Sequence, residues 1–249
     1  MKEQTMIILE IVGLTDMGLR RSNNEDAFIV LQDQLVTAVA DGMGGAAAGE
    51  VASKIFVTVV RESFADAAVS SEEAAYQLVQ QVFSAANERI IEHVANFPAD
   101  AGMGCTAELL TFVDGRYIIG HVGVSRIYLF RNGDLRQLTR DHSLVQMHLD
   151  GGMITAEEAR VHPKKNIVLR VVGMEQDFSL DILRGNSFAG DLFLLCSDGL
   201  SDMIDDNAIL AILSSSYSLE QKANKLVESA KDAGGKDNIT VVLCQVKQT

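Results

Sequence analysis

The chain has 249 residues, 47% of them hydrophobic and 22% charged, with a formal net charge of −13. These are ordinary globular values with an acidic excess, and no basic run or Arg-flanked aromatic stripe offsets it, which argues against a nucleic-acid surface or an anionic membrane as partner. Three scattered cysteines (Cys105, Cys196, Cys244) are too few for a disulfide framework or a zinc knuckle, and the run Met6-Ile7-Ile8-Leu9, stopped by Glu10, is too short for a signal or spanning helix. A monomer in a reducing cytoplasm is expected.

Thr5 to Thr15 alternates and is rich in β-branched residues, so it reads as a strand, followed by a turn at Asp16-Met17-Gly18 and a polar loop from Arg21 to Asp26. Ala27–Leu31 and Leu35–Ala40 read as a hairpin around Gln32-Asp33-Gln34. The second of these runs drives into Asp41 and then into Gly42-Met43-Gly44-Gly45. A helix is expected from Ala46 to Phe64, and another after Ser70, with Glu73 completing a capping box. In the second helix Leu78, Val82, Ala86, Ile90 and Val94 recur at helical spacing as far as Asn96, and Phe97-Pro98 ends it.

Strands then crowd the middle: Cys105–Val113, a turn at Asp114-Gly115, Arg116–Val122 and Arg126–Phe130, with Asn132-Gly133 as the strongest hairpin signal. The segment from His142 to Lys165 carries Gly151-Gly152 and a small capped helix at Thr155-x-x-Glu158, and reads as a surface insertion or flap. Strands resume at Ile167–Val172, Phe178–Leu183 and Asp191–Cys196. Short helices follow Gly199 and span Asn207–Leu213. Ser218-x-x-Gln221 caps a last helix that stops at Gly234-Gly235, before a closing strand Ile239–Val246. Without linker or repeat, residues 1–249 read as one α+β domain of antiparallel sheets covered by helices.

In four places a carboxylate stands at or just beyond the edge of an apolar strand: Glu25-Asp26, Asp41-Gly42, Asp198-Gly199 and Asp237-Asn238. Each alone is more often a turn than a ligand. Gathered at one edge they would repel one another unless a hard cation neutralised them, and oxygen-only donors point to Mg²⁺ or Mn²⁺. Arg21, on the loop before Asp26, either pairs with a carboxylate or grips a phosphate with parallel hydrogen bonds. Other polar residues take structural readings. Asp16 forms a turn, Arg126 an ion pair, and Asp202 and Asp206 cap a helix start. His121 and His142 support other groups, His93 and His148 lie on helix surfaces, and Cys105 is a small buried residue.

Five motifs stand in order along the chain. They are Thr15-Asp16-x-Gly18-x-x-Arg21-x-x-Asn24-Glu25-Asp26-Ala27, then Ala40-Asp41-Gly42-Met43-Gly44-Gly45, then His121-Val122-Gly123-x-Ser125-Arg126. Cys196-Ser197-Asp198-Gly199-Leu200 and Gly235-Lys236-Asp237-Asn238-Ile239-Thr240 complete the series. Together they resemble bacterial metal-dependent Ser/Thr protein phosphatases of the 2C type (PPM family). The resemblance implies a four-layer α-β-β-α sandwich with two Mn²⁺ or Mg²⁺ ions at one end. It implies that Asp41 bridges the two ions, the Gly42 carbonyl binds the first, and Asp198 and Asp237 hold the second. Glu25 and Asp26 would act through metal-bound water, Arg21 would hold the substrate phosphate, and the flap (142–165) would help choose substrates. A water bridging the two ions would attack phosphorus in line, without a phosphoenzyme.

The chain departs from this pattern after His121-Val122-Gly123, where the family carries an aspartate for a further, weaker metal and this chain has Val124. Valine offers no lone pair, so a third ion is expected to be weak or absent. The main expectation is a free-standing phosphatase acting on phosphoprotein substrates and opposing a Ser/Thr kinase. The alternatives are a weakened phosphatase-like binding module and a phosphatase acting on an anti-sigma-factor antagonist.

Overall fold

The computed structural model describes residues 8–44, 48–65, 67, 69–174 and 179–247. The elements run β1 (Ile8–Asp16), β2 (Asp26–Leu31), β3 (Val36–Met43), α1 (Gly49–Ala65), α2 (Glu72–Asn96), β4 (Gly104–Cys105), β5 (Ala107–Val113), β6 (Arg116–Val122), β7 (Arg126–Arg131), β8 (Asp134–Gln137), α3 (Leu144–Asp150), α4 (Ala156–Val161), β9 (Asp181–Asn186), β10 (Leu192–Cys196), α5 (Asp198–Ser201), α6 (Asp206–Leu213), α7 (Leu219–Asp232) and β11 (Ile239–Lys247).

Two antiparallel sheets form, one in the order β1-β11-β10-β7-β8, the other β2-β3-β5-β6-β9 with β4 paired to β3. Side-chain alternation sorts the strands into three buried layers. Ala38 and Ala40 of β3 face outward onto Phe56, Phe83 and the other buried residues of α1 and α2. Leu194, Cys196, Val241 and Leu243 face outward onto α7 residues Ala223, Leu226 and Ala230. Between the sheets lie Val39, Leu110, Ile119, Phe193, Leu195 and Val242. Because both faces of each sheet are covered, β10 and β11 read as continuous apolar runs rather than alternating ones. Phe193 of β10 bridges the middle layer, meeting Phe112 at 5.4 Å and Tyr117 at 5.2 Å, both edge-on. The fold is the expected helix-covered pair of antiparallel sheets.

Several boundaries move. The second long helix is capped by Ser71, whose side chain accepts from the Ala74 N–H, and not by Ser70 with Glu73. The first helix starts at Gly49, since the expected start at Ala46 lies outside the described residues. The strand expected at Cys105–Val113 divides into β4 and β5 at Thr106. Ile167–Val172 is apolar enough for a strand but makes only two isolated bridges, Ser143 with Val168 and Cys105 with Val172. The following strand lies at Asp181–Asn186, later than the expected Phe178–Leu183, and Phe178 is outside the described residues. Asn132 and Gly133 both have positive φ, +54° and +88°, as a tight two-residue hairpin turn requires. Among the described residues no helix is long and apolar enough to cross a membrane.

Candidate metal centre

β2 opens on Asp26, and β3 carries Asp41 directly opposite it in register. Like charges facing one another across two strands are normally unfavourable. The other sheet brings Asp198, the first residue of α5, beyond the end of β10, and Asp237, two residues before β11. Carboxylates from both sheets thus meet at one end of the sandwich. Arg21, Glu25, Asp41, Gly42, Val124, Asp198 and Asp237 line one open cleft of ≈770 Å³.

Asp26 is only 8% exposed. Its Oδ2 accepts from Ser197 Oγ at 2.7 Å and Thr240 Oγ1 at 2.6 Å, and its Oδ1 is buried with no hydrogen-bond partner. Burial pushes the Asp26 carboxyl up to about 6, with the Asp237 charge adding to the rise, and the hydroxyls of Thr240 and Ser197 and a proton shared with the Asp41 carboxyl moderating it. Burial, then Asp202 and Asp237, pushes Asp198 up to about 7. Asp41 is raised well above the ordinary carboxylate range by burial and then by Asp26, Asp198 and Asp237. Glu25 is raised as well, chiefly by burial, with Arg21 opposing.

A buried Asp26 oxygen that no N–H or hydroxyl donor faces, beside mutually repelling carboxylates, makes a donor set that fits a hard divalent cation. Among the described residues no three carboxylate, imidazole or thiolate groups enclose a point by themselves. Oxygen-only donors of this kind suit Mg²⁺ and Mn²⁺, which also take water and backbone carbonyls.

Backbone geometry explains Gly42. Its N–H donates to the Glu25 carbonyl at 3.0 Å, and α1 starts hard against it. A Cβ on Gly42 would stand 2.0 Å from the Gly49 carbonyl oxygen and 2.7 Å from that of Glu25. Both obstacles are main chain and cannot swing aside. Gly42→Ala is expected to cost about 3 kcal/mol and lower the melting temperature by roughly 6–12 °C; a melting temperature within 2 °C of wild type would show that the approach is not tight.

The loop that carries Arg21 and Glu25 is held by one amide. Asn238, 4% exposed, donates from Nδ2 to the carbonyls of Met17 (3.0 Å) and Asn23 (2.8 Å). Its Oδ1 accepts the Glu25 N–H at 2.9 Å. This brace, the hydroxyls of Ser197 and Thr240, and Thr106, which accepts the Asp41 N–H at 3.2 Å, were not singled out from the sequence. Ser197, Asn238 and Thr240 stand inside the quoted motifs, but nothing local to them names these partners.

Arg21 donates from Nη2 to Asp237 Oδ2 at 2.7 Å, so in this state it pairs with a carboxylate. Arg126 forms a two-pronged pair with Asp141 and also donates to the Tyr128 hydroxyl at 3.0 Å, which makes it structural, as expected. Asp16 closes its turn by accepting the Gly18 N–H at 2.8 Å and pairs with Lys231. The α6 cap is Asp205, not Asp202 or Asp206. Asp202 instead takes Lys165 at 2.5 Å, and Asp206 accepts from Tyr128. His121 gives its Nε2 proton to the Arg140 carbonyl and shares another with Glu108 at 2.5 Å, both side chains fully buried.

Two helix-covered antiparallel sheets that bring carboxylates from both sides to one open cleft make a candidate centre for divalent cations. The chain belongs to the protein phosphatase 2C family, whose profile matches residues 20–243. It is 37% identical over 243 residues to the protein phosphatase PhpP of Streptococcus pneumoniae, covering 96% of this chain and 98% of that one. The crystal structure of the Mycobacterium tuberculosis serine/threonine phosphatase PstP/Ppp superposes with a TM-score of 0.91 at 36% identity, covering 98% of this chain and 100% of that chain. The catalytic domain of PstP in complex with two manganese ions gives 0.89 at 35% identity, with the same coverage. The chain is accordingly a metal-dependent Ser/Thr protein phosphatase.

Proposed function

We propose that residues 1–249 form one catalytic unit that removes phosphate from phosphoserine and phosphothreonine in proteins phosphorylated by a Ser/Thr kinase, working as a cytoplasmic monomer with two Mn²⁺ or Mg²⁺ ions. The observation that carries this reading is the gathering of Asp26, Asp41, Asp198 and Asp237 from both sheets beside Arg21. Asp41 and the Gly42 carbonyl would hold one ion. Asp41, Asp198 and Asp237 would hold the other, and Glu25 and Asp26 would act through water. When bound, the ions supply Lewis acidity towards the phosphoryl oxygens and lower the pKa of the attacking water.

The chain's own groups do the rest. Asp26, Asp41 and Asp198, which burial biases towards their protonated forms, would be needed deprotonated to hold cations. Arg21 spends one donor on Asp237, which leaves others for a phosphoryl oxygen developing negative charge. The segment 142–165 acts as a flap over the adjoining ≈390 Å³ cavity, anchored by the Lys165–Asp202 pair.

The reading is tested by hydrolysis of a phosphothreonine peptide and of p-nitrophenyl phosphate in Mn²⁺, with loss in EDTA expected. Peptide binding without turnover would instead identify a binding module. Val124 lines the cleft together with Asp198, and its side chain has no donor atom. Val124→Asp is expected to add a metal equivalent by isothermal titration and to change turnover; if neither moves, the valine does not limit metal binding.

A further inference from the structure

Arg170 is one of two arginines among the described residues that line the cleft; Arg21 is the other. Its position is fixed from behind. The neighbouring Leu169 N–H donates to the His142 carbonyl at 2.7 Å. Arg170 Nη1 lies 3.0 Å from Asp181 Oδ1 and 3.0 Å from His142 Nε2. His142 Nδ1 accepts the Gly123 N–H at 3.0 Å, so the proton of the neutral ring sits on Nε2. That proton goes to Asp181 Oδ2, 3.2 Å away. Asp181 therefore accepts from Arg170 on one oxygen and from His142 on the other.

Burial, together with the His121 and Arg170 charges, depresses His142 to about 4, which keeps it neutral at physiological pH. Asp181 lies below the ordinary carboxylate range, because His142 and Arg170 outweigh the opposing effect of burial. The guanidinium is thus held rather than free, yet its side chain remains 40% exposed. Leu169 and Met174, which also line the cleft, place apolar surface beside it. No role assigned so far uses Arg170.

We infer that Arg170, held by Asp181, which His142 orients in turn, binds an anionic side chain that neighbours the phosphorylated residue of the substrate. The matching chemistry is a carboxylate or a second phosphoryl group, either of which meets a guanidinium fork. The cleft is larger than one phosphorylated side chain needs, and Arg170 shares it with Asp41 and Arg21. Asp181 and His142 are positioning residues, acting through Arg170. This inference rests on the phosphatase reading.

The test uses three phosphothreonine peptides identical except for the adjacent residue, which is alanine, aspartate or phosphoserine. Each is assayed for turnover in Mn²⁺ and for equilibrium binding by fluorescence anisotropy. The wild-type chain is expected to prefer the anionic peptides about fivefold, through KM rather than kcat. The aspartate and phosphoserine arms identify which anion is favoured. The preference falls to about one in Arg170→Gln, survives in part in Arg170→Lys, and shrinks in Asp181→Asn. Each preference is a ratio measured on one protein sample, so partial unfolding or metal loss cancels from it. A wild-type chain without preference, or a preference that persists in Arg170→Gln, overturns the inference. If no peptide is hydrolysed the phosphatase reading fails, and the anisotropy ratios still decide the role of Arg170.

Discussion

Replacing Asp41 by asparagine is expected to lower kcat/KM for a phosphothreonine peptide by about 10³-fold or more, while making the metal-free chain more stable. The two effects have one cause. Asp41 faces Asp26 across the β2–β3 ladder and feels Asp198 and Asp237 from the other sheet. Neutralising it removes repulsion that opposes folding when no cation is present. It also removes the carboxylate assigned to both ions, and with it the electrostatic stabilisation that dominates phosphoryl transfer. Kinetics in Mn²⁺ and thermal melts in EDTA read the two effects separately. Activity within tenfold of wild type would remove Asp41 from the reaction. A melting temperature in EDTA below that of wild type would show that the carboxylates do not strain the metal-free fold.

The gap in melting temperature between Mn²⁺-loaded and EDTA-treated protein is expected to widen from pH 5 to pH 7, by roughly 5–10 °C. Asp26 and Asp198 have folded-state values of about 6 and about 7, above their ordinary value of 3.8. A carboxyl raised in the folded state contributes stability that is fully present below its unfolded value and lost as pH rises through the folded one. For Asp198 alone the rise corresponds to on the order of 4 kcal/mol. The metal-free chain loses this contribution between the unfolded and folded values, so about two pH units of the loss for Asp198 and about one for Asp26 fall inside the window. Divalent cations take the deprotonated form, so their contribution grows over the same range. His142, whose value is depressed, contributes an opposite slope up to its unfolded value. That slope is common to both samples and drops out of the difference. A gap that stays flat or narrows with pH would mean that these carboxylates do not titrate with metal binding.

The principal carboxylates were legible because each stands where an apolar run stops and small, flexible residues begin, as in Ala40-Asp41-Gly42 and Cys196-Ser197-Asp198-Gly199. Strand pairing was legible where turns announce themselves, as at Asn132-Gly133. The parts that escaped share a physical reason: their meaning depends on a distant partner. Asn238 looks like a turn residue until its amide is seen holding Met17, Asn23 and Glu25. Ser197 and Thr240 look like strand residues until both hydroxyls reach Asp26. Ile167–Val172 carries the composition of a strand but finds no continuous neighbour, so it crosses the sheet ends with two bridges only. The neighbouring serines at 70 and 71 both stand ahead of a helix, and nothing local says which one takes the cap.

The middle layer has a consequence of its own. The carboxylates reach the cleft from opposite sheets, Asp26 and Asp41 from one and Asp198 and Asp237 from the other. Between those sheets the gap is filled by Phe193, with Phe112 and Tyr117 edge-on against it, and by aliphatic neighbours such as Val39 and Val242. Those side chains work as the jaws of a caliper. A close-packed interior passes small volume changes outward instead of absorbing them. Trimming or enlarging a residue there resets the span between the two carboxylate pairs without touching either. Substitutions in this hidden layer are therefore expected to alter activity through the spacing of groups at the rim, although no substrate meets them.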